Sequence, residues 1–311
     1  VLGIDTSNYT TSAALLYLQD GTVRHRKKLL PVKSGRLGLR QSDAVFHHVQ
    51  QLPEILQELL NNGDMIPKAL GASTRPRDAE GSYMPCFTVG SGAAKILSSA
   101  WKVPLFSFSH QAGHIAAALY SAKRLDLMEK RFLAFHVSGG TTEAVIVNGE
   151  REQGLSIRLA AKTLDLNAGQ AVDRVGGLLG LPFPAGPHLE KLALAYPHII
   201  RVRPVLKGCD CCLSGVENMC AGMLAEGEPK EKIARFCIDY IAVALEMMCE
   251  RLLEEYGRLP VLFVGGVMSN RMIRERFTKK FHALFAEPEF SADNAAGVAV
   301  LAAREAGWLC S

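Results

Sequence analysis

The sequence predicts an α/β protein of two similar lobes, and three observations carry that prediction. Apolar strand-like runs at 103–108, 132–137, 155–160 and 260–264 alternate with helical periodicity at 44–60, 91–101, 112–122, 168–180 and 230–256. This mixture builds helices packed on sheets. The start of the chain also recurs. Shifted by 131 residues, LGIDTSNYTTSAAL (2–15) overlays LAFHVSGGTTEAVI (133–146). Ser7 falls on Ser138, Thr10 on Thr141, Thr11 on Thr142 and Ala13 on Ala144. Each copy reads as strand, small polar turn, strand. Finally, 311 residues with 48% hydrophobic content can bury the core of two lobes or of one large domain.

Between these elements, residues 20–42 are rich in Gly and basic side chains and read as a loop, and GLLGLPFPAGP (177–187) reads as a Gly/Pro turn region. The net charge of +4 is compatible with a polyanionic partner and too weak to demand one. No apolar run approaches the ~18 residues of a membrane span. The opening VLGIDTS carries no basic region or cleavage site, so no secretory signal and a cytoplasmic location are expected. Eight cysteines in a chain this long point to reduced thiols, not a disulfide scaffold. The spacing of Cys209, Cys211, Cys212 and Cys220 fits no usual zinc or iron–sulfur pattern. Packing as small strand-borne hydrophobes is the favoured reading, with an added metal or redox site as the other.

Four constellations could carry chemistry. The paired turns could form anion-binding nests from free backbone amides, although an ordinary turn explains one copy equally well. In SFSHQAGHIAAALYSA, His110 and His114 lie four apart at a helix start and share a face. Two such His can hold a divalent metal, or simply face solvent. A metalloprotease would need Glu after the first His, and Gln111 stands there. In LFVGGVMSNRMIRERF, an apolar strand runs through Gly265 and Gly266 into a helix containing Asn270. Glycines admit a close nucleotide and a helix start favours anions, while tight packing is the plain alternative. In EFSADNAAGVAVLAARE, Asp293 and Asn294 cap a helix of small residues that must pack closely.

Taken together, these residues resemble the actin-like superfamily of sugar kinases and heat-shock chaperones, with its ribonuclease-H-like (ASKHA) lobes around a nucleotide cleft. Within it the chain resembles, nearly end to end, the tRNA threonylcarbamoyladenosine transferases, a glycoprotease-like family once called O-sialoglycoprotein endopeptidases. The motifs are GIDTS (3–7), HQAGH (110–114), SGGTT (138–142), TLDLNAGQAVDRVGGLLGLPFPAGP (163–187), SG (214–215), GGVMSN (265–270) and ADNAAG (292–297). The resemblance implies lobe I at 1–128 plus 292–311 and lobe II at 129–291. It implies metal-dependent transfer of a threonylcarbamoyl group from an acyl-adenylate to N6 of adenosine 37 of tRNA, releasing AMP. His110, His114 and Asp293 match the metal ligands, for iron or zinc, with magnesium as an alternative. Val137, Ser138, Gly139, Gly140 and Thr141 match the acyl-adenylate loop, Asp173 and Gly186 the ribose contacts, and Asn270 a position near the adenine. ATP, AMP or threonylcarbamoyl-AMP is the expected ligand. No residue is assigned a direct catalytic role. The expected partners are tRNA, with RHRKK (24–28), RLGLR (36–40) and RMIRERFTKK (271–280) as candidate phosphate contacts, and proteins of the same pathway or a second copy of the chain. No membrane is involved.

The chain departs from the family pattern at several polar positions. Asn8, Tyr9 and Thr10 replace the acidic pair of ETSCDET, Ala112 replaces Glu of HxEGH, and Thr141 replaces His of SGGHT. Leu166 or Asn167, together with Gln170, replace acids of TLDDAxGEAFDK, and CCLSG stands for FSFSG. Such a pattern is that of a paralogue. Three readings follow: the named transferase, a carbamoyl-type transferase with another acceptor, or a nucleotide-binding scaffold that regulates a partner. A peptidase is disfavoured, since no nucleophile or base accompanies the two His.

Overall fold

A computed structural model describes residues 1–7, 9–31, 39–61, 66–150, 154–287, 289–290 and 294–309. The chain divides into two compact units, one of residues 1–130, 148–157 and 289–311, the other of residues 131–147 and 158–288.

The first unit opens with β1 (Leu2–Ser7), β2 (Thr10–Leu16) and β3 (Val23–Leu29) as an antiparallel meander. After α1 (Gln41–Leu60), β4 (Leu70–Arg75) pairs parallel to β1. Then α2 (Phe87–Trp101) leads to β5 (Leu105–Ser109), parallel to β4, and α3 (His110–Ser121) follows. The sheet order is β3-β2-β1-β4-β5. The structure corrects the loop expected over 20–42, because Val23–Leu29 forms β3. Its run of Arg, His and Lys hid it. As an edge strand it needs little apolar content, and charges there discourage pairing with another chain.

The second unit repeats this plan. It begins with β6 (Arg131–Val137), β7 (Thr142–Glu150) and β8 (Gly154–Lys162). Then come α4 (Ala168–Leu178), α5 (Gly186–Leu194), the short strands β9 (Val205–Lys207) and β10 (Asp210–Cys212), α6 (Gly215–Ala225) and α7 (Lys230–Tyr256). Strand β11 (Val261–Val264) pairs parallel to β6, α8 (Arg271–Phe281) follows, and β12 (Leu284–Phe285) pairs parallel to β11. Read from the meander, the order is β8-β7-β6-β11-β12, the order of the first sheet. The internal repeat seen in the sequence is therefore the first hairpin of each sheet. The core here is aromatic. Phe135 stacks on Phe263 at 4.8 Å between ring centres, and Phe277 meets Phe263 edge-on.

Helix α9 (Ala295–Glu305) returns to the first unit. Its residues from Ala295 to Ala303 are all buried, as the small side chains required. Glycines on its neighbours admit the backbone. A Cβ on Gly3 of β1 would lie 2.2 Å from Ala295 O. A Cβ on Gly297 would lie 1.9 Å from Gly113 O of α3. Among the described residues no helix is long and apolar enough to cross a membrane.

Candidate functional site

In the second unit, the β6–β7 turn is closed by its own residues. Ser138 N donates to Thr141 O at 2.7 Å, and Thr141 N donates to Ser138 Oγ at 3.1 Å. Gly169 of α4 lies directly beneath. Its amide donates to Ser138 O, and a Cβ there would sit 2.5 Å from Gly139 N. Gly139 and Gly140 differ from such packing glycines. Neither has a positive φ, and a Cβ on either would meet nothing within 4 Å. Among the described residues neither of their amides donates to a protein acceptor. The fold does not require glycine at these two positions, and backbone without a Cβ admits close approach of a ligand.

Beside this turn is a cavity of about 330 Å³ within the second unit. It brings together five residues singled out in the sequence: Gly139, Asp173, Gly186, Gly266 and Asn270. Val137 lies buried in β6, and Ser138, Gly140 and Thr141 adjoin the cavity in sequence without lining it. The floor is apolar, with Val172, Ile238, Ile241 and Ile273, and Glu190 and Ser269 add polar groups. A few polar groups on an apolar wall suit a flat heterocycle carrying hydroxyls. Gly169, Gly186 and Asn270 place the starts of α4, α5 and α8 at this one cavity. Helix starts favour an anion.

The wall residues hold each other in place. Asp173 Oδ1 accepts from Ala185 N at 2.9 Å, so it fixes the start of α5 as well as facing the cavity. Asn270, expected inside a helix, is instead the N-cap of α8, where its side chain accepts from Ile273 N at 3.1 Å. Glu190 accepts from Arg271 N at 2.7 Å. Gly265 has φ 108°, and a Cβ on it would lie 2.3 Å from Val137 O. That glycine serves the approach of β6, whereas Gly266 lines the cavity with open space above it.

Sequence reasoning missed Asp165. Its Oδ1 accepts from Leu166 N and Leu213 N, and its Oδ2 from Ser214 Oγ at 2.6 Å. Burial pushes this carboxyl up, but the Ser214 hydroxyl and the surrounding amides outweigh it and hold it below the ordinary carboxylate range. It ties the TLD segment to the SG segment. The joint occurrence of those two motifs was the available signal.

In the first unit, Ser109 caps α3 by accepting from Ala112 N at 3.2 Å. His110 and His114 then stand on one face with ring centres 4.5 Å apart. Neither ring simply faces solvent, since both residues are partly buried. His110 Nδ1 meets Asp5 Oδ2 of β1 at 2.8 Å, and Asp5 is fully buried. Ser73 Oγ also donates to Asp5 Oδ2 at 2.7 Å. Burial pushes the Asp5 carboxyl up, but the facing His110 and hydrogen bonds from His110, Ser73 and Ser7 hold it below its ordinary value. With Nδ1–H donated to Asp5, the His110 Nε2 lone pair is left to accept, and Asn294 Nδ2 stands 3.5 Å from it. A carboxylate behind an imidazole is the usual support of a metal-ligating His. No Lys or Arg among the described residues bonds Asp5. Two imidazoles on one face, with a carboxylate behind one of them, fit a divalent ion, which His110 and His114 would hold. The third expected ligand, Asp293, lies outside the described residues, as does Asn8. Among the described residues no three His, Cys, Asp or Glu form a metal cluster. Asn294 occupies the N-cap of α9 without a side-chain cap bond, and its Nδ2 lies 3.5 Å from His110 Nε2.

The described cysteines are free thiols. Cys211 and Cys220 are buried, and burial pushes the Cys211 thiol up to about 12. Packing as small hydrophobes describes these two, although Cys220 rides on α6 and not on a strand. The basic stretches are neutralised in part. Lys28 pairs with Glu54 at 2.9 Å, Arg26 with Glu58 and His25 with Glu289. On α8, Arg276 and Lys280 bind Glu246. Most of 36–40 lies outside the described residues.

Comparison with known proteins agrees with this architecture. Residues 38–300 match the family described as tRNA N6-adenosine threonylcarbamoyltransferase. Among solved structures, the chain is similar to HypF from T. kodakarensis, with TM-score 0.56 and 13% identity over 99% of this chain and 48% of that one. The ROK hexokinase of Thermus thermophilus has TM-score 0.52 and 16% identity, with 99% of each chain covered. Component A of (R)-2-hydroxyglutaryl-CoA dehydratase from Acidaminococcus fermentans has TM-score 0.54 and 14% identity, over 99% of this chain and 98% of that one. At these identities the likeness shows the fold, which is the actin-like ASKHA fold.

Proposed function

The chain belongs to the tRNA N6-adenosine threonylcarbamoyltransferase family, and from that premise we propose that it transfers a threonylcarbamoyl or related carbamoyl-type group from an acyl-adenylate to N6 of adenosine 37 of tRNA. The observation that carries this reading is the pair Gly139–Gly140, left open by the fold beside a cavity where three helices begin. In this reaction N6 attacks the carbamoyl carbon, a C–N bond forms, and the bond from that carbon to the adenylate phosphate oxygen breaks. AMP leaves with the electron pair, and N6 loses a proton.

In this reading the chain's main work is positioning. The apolar floor of Ile238 and Ile241 holds the adenine, while Asp173 and Asn270 orient the nucleoside. The open amides of Gly139 and Gly140 and the nearby helix starts stabilise the phosphate charge. Asp5 holds the His110 imidazole so that Nε2 is presented outward, beside His114. His110 and His114 would hold a divalent ion, and such an ion would supply positive charge that polarises an acyl oxygen.

The test is metal content and AMP binding of the purified protein. We expect a stoichiometric ion that is lost in His110→Ala/His114→Ala, with AMP affinity reduced by bulky substitution of Gly139. Mass spectrometry of tRNA nucleosides from a deletion strain addresses the acceptor, and an unchanged threonylcarbamoyladenosine level would sink the tRNA version. A second reading, a nucleotide-binding scaffold, draws support from Ala112. It is buried within α3, where the family carries a carboxylate. Nucleotide binding without any transfer would favour it.

A further inference from the structure

The stretch Ile199–Lys207 belongs to none of the motifs considered so far. It runs without helix or strand to Pro204 and ends in β9. Exposure alternates along it: Arg201, Arg203, Val205 and Lys207 are exposed, while Pro204 is buried. Two residues of chain span at most about 7 Å, so Arg201 and Arg203 stand close together just before β9, which carries Lys207. None of the three forms an ion pair with a described residue. They thus differ from Arg26 and Lys28 of β3 and Arg276 and Lys280 of α8, which acidic side chains neutralise.

Helix α7 pins the segment at both ends. Asp239 Oδ2 accepts from Ile200 N at 2.8 Å and from Arg235 Nε at 2.8 Å, and Arg235 also donates to Tyr196 O. Beyond Lys207, Arg251 donates to Gly208 O. Asp210, opposite Lys207 in the β9–β10 register, directs Oδ1 to the Lys162 amide. The cationic edge is therefore pre-ordered, and binding to it loses little backbone entropy. Ile199 and Val205 expose apolar side chains in the same stretch. Strung-out cations with apolar surface between them suit a polynucleotide strand, whose phosphates and bases alternate in the same way. A membrane site would need a denser basic cluster of about 4–8 residues.

We propose that this edge, Arg201, Arg203 and Lys207, is a contact for the phosphate backbone of RNA. The proposal rests on the tRNA reading above and adds where the second unit holds that RNA.

The experiment measures binding of fluorescent tRNA to the whole protein by anisotropy, across roughly 50–250 mM salt. Arg201→Ala/Arg203→Ala/Lys207→Ala is compared with the unsubstituted chain and with Arg26→Ala/Lys28→Ala in β3. The slope of log affinity against log salt should become shallower by about 2 to 3 in the triple variant, from ~0.7–0.9 per lost phosphate contact. It should change by less than 1 in the β3 variant. AMP affinity and melting temperature should stay unchanged in the triple variant, which excludes misfolding. An unaltered slope there, with tRNA still bound, overturns the proposal and leaves the tRNA reading standing. If the unsubstituted chain binds no tRNA, both fall. Binding of polyglutamate or anionic vesicles in place of tRNA, with sensitivity to the same three substitutions, assigns the edge to another class of partner and overturns the RNA assignment.

Discussion

Thr11 and Thr142 occupy equivalent places in the two hairpins, and they do opposite things. Thr11 Oγ1 donates to Gln51 Oε1 at 2.8 Å and receives His48 Nδ1 at 2.8 Å, all buried. Thr142 Oγ1 accepts from a backbone amide, Ala168 N, at 2.8 Å. The carboxylates near the two hairpins differ in the same sense. Asp5 is bonded by the side chains of His110 and Ser73, whereas Asp165 is bonded largely by amides. The first unit supports its hairpin with a buried side-chain network, and the second does so with backbone and glycine contacts. A duplicated frame can thus specialise, with side-chain hydrogen bonds behind the hairpin of one unit and backbone hydrogen bonds behind that of the other.

This contrast can be broken at several points. The largest effect is expected from Gly265→Ala, which meets the second unit at its backbone. A positive φ and a carbonyl 2.3 Å from the new Cβ should cost about 4 kcal/mol by chemical denaturation. Thr11→Val comes next, at about 2 kcal/mol, since it leaves His48 and Gln51 buried without their hydroxyl. Thr142→Val removes one acceptor from one amide and should cost about 1 kcal/mol. A cost for Thr142→Val above that for Thr11→Val would erase the distinction between the units.

Asp165 sharpens the contrast through pH. Its carboxyl is held below the unfolded value, so its contribution is fully present above about pH 4. That contribution disappears as pH falls through the lower, folded-state value. Asp165→Asn should therefore flatten the acid limb of an unfolding-midpoint profile. The smallest stability effect is expected at the open turn. Gly139→Ala and Gly140→Ala should shift stability by less than about 1 kcal/mol, toward stabilisation, because their φ values suit alanine. AMP binding, measured by calorimetry, should nonetheless weaken in both.

Much of this arrangement was legible because it depends on short-range pattern. The hairpin repeat, the His pair on α3 and the small-residue helix α9 each follow from periodicity and side-chain size. The strand β3 was not legible, since an edge strand with basic side chains loses the apolar signal that marks inner strands. The roles of the glycines were only half legible. Gly265 and Gly139 look alike in a sequence, yet one is confined by Val137 O and the other faces open space. Asp5 as the support of His110, and Ile238 and Ile241 as a cavity floor, join residues distant in the chain. No local pattern encodes such meetings.

The closeness of α9 to α3, with Gly297 against Gly113, also bears on timing during synthesis. The ribosome releases most of the second unit as one run, 158–288, before α9 exists. The helix bearing His110 and His114 waits for residues made more than a hundred and fifty positions later. A nascent chain can therefore complete the glycine-lined cavity first, and the helix that bears its histidine pair gains the close packing of α9 only when the last helix emerges.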